Sequence, residues 1–374
     1  MFRNKIKILL VLVLTLALFA DVANADFTFG EPVNLGPTVN SSGYEWYPSI
    51  RADGLEMYFE SDRPGGVGTY DIWVSTRETK EDDWGAPTNL GAPINTPDWQ
   101  NTPTISADGL ELYYNDWVLW VVRRATVSDP WGEPENDSLI NINASIMYST
   151  QCLSSDGLSI FLASRNDWDL YVSTRPTRDD LWSEPVNLGP TVNGVNSDIT
   201  TENYCPNISS DGLLLVFSSD RPDGDGKTDL WMMTRSTTDG PWSEPVNLGP
   251  PVNSPYVEAT PSISADGLLL FFQSTRPGGY GGPVDIWVAM RPTTHTNWGT
   301  PVNLGPVINT TGFDGNPSIS ADGSTLYFAS NRPGGHGDED LWQVSITPMP
   351  GDFRDDRDPD SAVESDKSNG GKEG

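Results

Sequence analysis

Histidine is nearly absent from this chain. Its two copies, His295 and His336, share no motif, which leaves no basis for a histidine-built metal site or a Ser-His-Asp triad. The G-x-S-x-G turn of a hydrolase nucleophile is also missing. Cations are scarce: 22 Lys and Arg stand against 52 Asp and Glu, a net charge of -30. So acidic a chain repels phosphate backbones, which excludes nucleic acid as a natural partner. Beyond residue 25 no stretch keeps the apolar spacing of a helix, and none is apolar for long enough to span a bilayer.

The apolar run that does exist lies at the start. Arg3, Lys5 and Lys7 precede Ile8 to Phe19, and Ala23-Asn24-Ala25 follows. A charged start, a short greasy middle and a small-residue exit predict a signal peptide over 1–25 and export to the periplasm or the exterior. With that segment cleaved, no transmembrane segment is expected. In an oxidising compartment the only two cysteines, Cys152 and Cys205, can bridge; two buried thiols are the alternative.

Glycine (36), proline (31) and tryptophan (14) are plentiful, the mixture of short strands joined by turns. The strands repeat. Asp-Gly pairs begin at Asp53, Asp108, Asp156, Asp211, Asp266 and Asp322, separated by 55, 48, 55, 55 and 56 residues. Around each lie a short strand such as Pro317-Ser318-Ile319-Ser320 and a returning strand such as Leu326-Tyr327-Phe328. Most copies add an Arg-Pro-Gly-Gly or related loop, a strand such as Asp285-Ile286-Trp287, and an outer Pro-Val-Asn-Leu-Gly. Four strands at a period near 50 residues predict a propeller blade. The sixth copy lacks its outer strand, and an unattached one stands at Pro32 to Gly36. The expected fold is therefore an all-β, six-bladed β-propeller over 26–348, closed by its N-terminal strand, with a disordered acidic tail over 349–374.

The motifs Ser-Ala-Asp-Gly, Ser-x-Arg-Pro-Gly-Gly-x-Gly and Asp-Ile-Trp resemble the WD-like repeats of TolB-like propellers, over roughly residues 27 to 347. That resemblance implies an envelope or extracellular location and binding through one face or the channel, with no catalytic set. Two blades depart from it. The second has Asn115-Asp116-Trp117 in place of the Arg-Pro-Gly-Gly loop, and the third has Arg165-Asn166-Asp167-Trp168. Departures of this kind accompany sites or reflect drift.

Loops entering the inner strands are expected at one channel mouth. They bring Glu45, Gln100, Tyr148, Glu202 with Asn203, Glu258 and Asp314, with Trp46, Trp99 and Tyr204 beside them, as candidate ligand-binding residues. Asp223, Asp225 and Asp229 form a D-x-D-x-x-x-D run that could offer carboxylates to calcium; no other cofactor is implied. Arg63, Arg221, Arg276 and Arg332 recur before Pro, followed by Asp71, Asp229, Asp285 and Asp340. Recurrence predicts a structural role, an ion pair or an arginine stacked on the blade tryptophan. The favoured function is a non-catalytic binding or scaffold propeller that engages an envelope protein, a peptide or a glycan at the mouth. The alternative is a carbohydrate-active lyase or hydrolase with Glu45, Glu258 or Asp314 as acid or base.

Overall fold

The computed structural model describes residues 27–136, 148–193 and 201–348. The expected signal segment and acidic tail lie outside the described residues. Six antiparallel sheets form the blades of a propeller. In the first blade the strands are Glu45–Ile50, Glu56–Ser61, Asp71–Thr76 and Thr88–Asn89, ordered from channel to rim. The Asp-Gly turns behave as expected. Gly54, Gly109, Gly157, Gly212, Gly267 and Gly323 all have φ between 69° and 76°, which costs a glycine least. In each turn the aspartate carboxylate accepts a backbone N–H two residues on, as Asp53 does from Leu55 (3.0 Å) and Asp266 from Leu268 (3.1 Å).

Alternation along the second strand sets blade against blade. Met57 and Phe59 pack with Tyr327 and Leu341 of the sixth blade, whereas Tyr58 packs with Ile105, Leu112 and Tyr114 of the second. All eight are buried. Each large side chain enclosed this way contributes about 1.5–3 kcal/mol, so the core is shared among blades.

A second fastening recurs at the rim. Asn34 accepts the Gly36 N–H (2.7 Å) and the amide of Asn40 (2.8 Å), while Asn40 bonds both backbone groups of Leu341. The pairs Asn89/Asn95, Asn187/Asn193, Asn247/Asn253 and Asn303/Asn309 repeat the link between the two asparagines. The Pro-Val-Asn-Leu-Gly motif thus locks an outer strand to its blade.

The inner strands carry a distortion. Tyr47, Thr102, Cys205, Thr260 and Asn316 lie at φ between 47° and 51°, each just before a proline, where the ladder slips by a bulge. Left-handed backbone is costly for non-glycine residues, most of all β-branched ones. Several of the displaced N–H groups find partners in the preceding blade. Thr102 donates to Glu60 (2.9 Å), Cys205 to Thr150 (3.1 Å) and Asn316 to Gln273 (3.1 Å). In the third blade Gln151 replaces the proline and Thr150 is not left-handed.

The ring closes as the repeat count requires. Val33 and Asn34 pair with Gln343 and Trp342, and Phe27 to Phe29 pair with Pro348 to Ile346. Phe27 and Pro348 therefore lie together, on the face of the Asp-Gly turns. A chain beginning at residue 40 loses this seam and the buried Phe27 ring. It should melt at least about 10 °C below the chain beginning at residue 26, read by thermal denaturation followed by near-UV circular dichroism; an unchanged midpoint would refute closure as a stabilising contact.

Candidate functional site

The six inner strands enclose a central cavity of about 270 Å³. Its wall alternates small polar side chains, including Ser49, Thr104, Asn207, Ser262 and Ser318, with the inner-strand prolines, and Tyr47 is the largest side chain. Cys152 and Cys205 line it too, as free thiols rather than the bridge entertained from sequence. Repeat position explains the separation. Cys205 aligns with Thr150, not with Cys152, and its N–H bonds the Thr150 hydroxyl. The Cys152 sulfur instead meets the Ile208 N–H. Ser49, Asn207 and Ser262 do the same for Ile105, Ile263 and Ile319, each at 3.0 Å. Cys152 is thus a link between blades.

The carboxylates expected to ring the mouth are enclosed. Glu45, Glu258 and Asp314 are fully buried. Glu45 accepts from Ser41 (2.5 Å), Ser61 (2.9 Å) and Arg63 (3.0 Å). Glu258 pairs with Arg276 (3.1 Å) and Asp314 with Arg332 (2.7 Å). Each guanidinium in turn stacks on the blade tryptophan, with 4.9 Å from Arg63 to Trp73, 5.0 Å from Arg276 to Trp287 and 4.6 Å from Arg332 to Trp342. The stacking follows the sequence expectation, but the ion partner is the inner-strand acid rather than the aspartate before the tryptophan. These acids hold the entry loop to the blade, and none of the three is open to act as acid or base on a ligand. Gln100, also buried, closes its own loop through Thr96. The residue matching Glu45 in the fourth blade is Asn203, not Glu202: Asn203 pairs with Ser219 as Glu45 does with Ser61. Tyr204 packs between blades and bonds Thr228 (3.3 Å). Tyr148 begins the inner strand of the third blade.

The proposed calcium run does not converge. Asp229 is buried, and its Oδ2 accepts from the Asp225 N–H and from Asn247 (2.9 Å), while Asp223 and Asp225 face solvent. Asp71, Asp285 and Asp340 bind their own hairpins in the same way. Among the described residues no three His, Cys, Asp or Glu side chains are placed to hold a metal ion.

What the mouth does present is an arc of aromatic rings across the first two blades. Tyr44 meets Trp46 (4.9 Å between centroids), Trp46 lies parallel to Tyr70 (6.1 Å), Tyr70 meets Trp99 edge-on (5.7 Å), and Trp99 lies parallel to Trp117 (6.1 Å). Arg165 of the third blade lies over Trp117 at 5.4 Å. Trp99 and Trp117 are 42% and 47% exposed, well beyond what an indole in a core shows. Trp46 and Trp99 were candidates from sequence; Tyr70, Trp117 and Arg165 were not. Their signal is positional. Counted from the Asp-Gly turns, Trp117 and Arg165 occupy the place of Asp62, Asp220, Thr275 and Asn331. Those four residues cap the N–H groups of Tyr44, Glu202, Val257 and Phe313. Two adjacent blades replace that cap with side chains that face each other.

Carboxylates surround the arc. The Trp46 indole N–H donates to Glu339. Asp338, then Glu339 and Asp62, hold the Tyr44 phenol above its usual range. Burial pushes the Glu339 carboxyl up. Deeper in, burial pushes the Glu60 carboxyl up to about 7, against the opposing pull of the Thr102 N–H and the Arg165 charge. Glu60 does in the first blade what the neutral Gln273 does in the fifth, capping a left-handed residue of the next blade.

Solved structures place the fold in a class. A protein of unknown function from Dyadobacter fermentans matches at a TM-score of 0.59 and 13% identity, over 87% of this chain and all of that one. TolB from Acinetobacter baumannii matches at 0.49 and 14%, over 80% of this chain and 65% of that one. The α-L-arabinofuranosidase PaAbf62A from Podospora anserina, solved with cellotriose, matches at 0.44 and 15%, over 86% and 96%. The chain thus spans a little under two thirds of that TolB. No family model matches the chain, and no curated protein matches it in sequence. The chain is a six-bladed β-propeller, as the repeats implied; at these identities the fold is all that the neighbours bear on. Among the described residues no helix is long and apolar enough to cross a membrane.

Glu60 generates a pH prediction. Its folded value, about 7, lies above the ordinary 4.5. A carboxyl raised on folding stabilises fully below 4.5, and that contribution is lost as pH rises towards 7. Glu60→Gln keeps the acceptor and removes the charge. It should match the parent near pH 4 and exceed it at pH 8 by about 1–3 kcal/mol in urea denaturation. Equal stability at pH 8 contradicts a destabilising buried charge.

Proposed function

We propose that this chain is an exported binding propeller that seats its partner on the aromatic arc at the strand-entry mouth, without catalysing a reaction. The partner is an envelope protein, a peptide segment or a glycan. The observation that carries this reading is the run of ring contacts from Tyr44 to Trp117, ending in two exposed indoles. Grouped exposed aromatics are unusual on a free surface and typical of a binding patch, since they offer large contact area at little entropic cost.

The backbone gives independent support. Trp117 sits at φ 78° in a tight hairpin, where Asp116 donates to the Val118 carbonyl (3.1 Å). A bulky residue there costs roughly 1–3 kcal/mol, and glycine would avoid the cost. A position that keeps an exposed tryptophan against local strain is explained by what the side chain touches. The carbohydrate-active alternative draws no support from Glu45, Glu258 or Asp314, which are enclosed and ion-paired.

Trp117→Gly separates binding from folding. It should melt at the parent temperature or about 2–4 °C above it. Combined with Trp99→Ala, it should lose about tenfold or more of the affinity for whatever the parent retains from envelope extract or a glycan array. A double variant that retains the same partner at the same strength removes the arc from the site.

A further inference from the structure

The carboxylate–guanidinium–indole grouping is built three times inside this molecule. Glu45–Arg63–Trp73, Glu258–Arg276–Trp287 and Asp314–Arg332–Trp342 each place one arginine between an acid and a ring. The arrangement is favourable because a planar guanidinium can meet a carboxylate along its edge and a π face with its plane. At the mouth the same acids and rings occur, and the one guanidinium on the arc among the described residues, that of Arg165, lies over Trp117. Glu339 holds the Trp46 indole N–H, and Asp338, Asp62 and Asp98 stand along the arc. Arg165 occupies the far end. Trp46, Tyr70 and Trp99 keep carboxylates beside them, and among the described residues no guanidinium lies over any of the three rings.

Resting on the arc as the binding site, we infer that its ligand is an arginine-bearing peptide segment of a protein partner, whose guanidinium enters between Glu339 and the Trp46–Tyr70–Trp99 rings and completes the missing triad. Charge complementarity points the same way. The charges of this mouth include the exposed Asp98, Asp167 and Asp338 and the half-buried Asp62, Asp116, Glu202 and Asp220, against the half-buried Arg165 and the exposed Lys227, so the local field attracts cations and repels acidic ligands. The fold's own triads use arginine each time, which favours a guanidinium over the compact ammonium of lysine or an amino sugar.

The test titrates the mature chain with a blocked Gly-Arg-Gly-Arg-Gly peptide and with its citrulline counterpart, which keeps shape and loses charge. Titration calorimetry in low and in about 0.5 M salt gives the affinity of each. The expected result is one site per chain, at least tenfold weaker for citrulline and weaker in salt, with a loss of fivefold or more in both Glu339→Gln and Trp99→Ala. Glu339→Gln retains an acceptor for Trp46, and Trp99 is exposed, so both variants should melt like the parent. Equal affinity for the citrulline peptide overturns the proposal. So does arginine binding untouched by either variant, which would place it elsewhere on an acidic surface. If the arginine peptide fails while cellotetraose binds and is lost in Trp99→Ala, the arc survives as the site and the arginine assignment falls. If nothing that binds responds to Trp99→Ala or Glu339→Gln, both readings fall together.

Discussion

The antiparallel seam between the first described strands and the last one governs everything else in this molecule. Val33 and Asn34 hydrogen-bond into the ladder that contains Trp342 and Gln343, and without them a rim of backbone donors and acceptors would face solvent. The seam also fixes distance. Glu339 of the last blade can hold Trp46 of the first only because the ring is shut, and the Tyr44–Glu339 bridge lies on the same junction. One end of the aromatic arc is therefore assembled by closure itself.

Within the ring, the residues that recur have been used up by structure. The aspartates of the turns, the paired asparagines of the rim, the arginines before proline and the buried acids of the inner strands each answer a backbone group that a short strand leaves unpaired. The bulges follow the same logic, since an N–H pushed out of one ladder is received by the blade before it. What is free to meet a partner is what departs from the repeat. Trp117 and Arg165 stand where a cap should be, and Trp99 stands in an entry loop without a matching aromatic in the fourth or fifth blade, where Glu202 and Val257 take its place.

That division explains how much of the molecule could be read in advance. The number of blades, the order of strands and the pairing of Val33 with the blade of Trp342 all follow from the spacing of Asp-Gly pairs and one displaced Pro-Val-Asn-Leu-Gly. Trp46 and Trp99 were visible as aromatics beside the inner strands. Glu45, Glu258 and Asp314 were equally visible and pointed to the wrong task, because spacing places a carboxylate near the channel but does not say which way it turns. Their serine, threonine and arginine partners lie 4 to 18 residues away, and only packing brings them to the carboxyl. In the fourth blade Glu202 and Asn203 stood side by side as candidates; only pairing shows that Asn203 takes the place of Glu45, since in a strand one residue is the difference between two faces. The breaks in the second and third blades were legible as irregularities, whereas the contact between Trp117 and Arg165 depends on two blades being neighbours in space.

The position of the two ends of the ring, at its first and last described strands, has a mechanical meaning. Phe27 lies opposite Pro348 on the face away from the aromatic arc. Tension applied between the two ends would not load the seam in parallel; it would peel the pairs apart one after another, beginning with Phe27 and Pro348. Strands drawn apart in this zipper geometry yield at low force. A propeller held at one end keeps its shape and turns its rings away from the tether, whereas one stretched from both ends would part first at the join that makes it a ring.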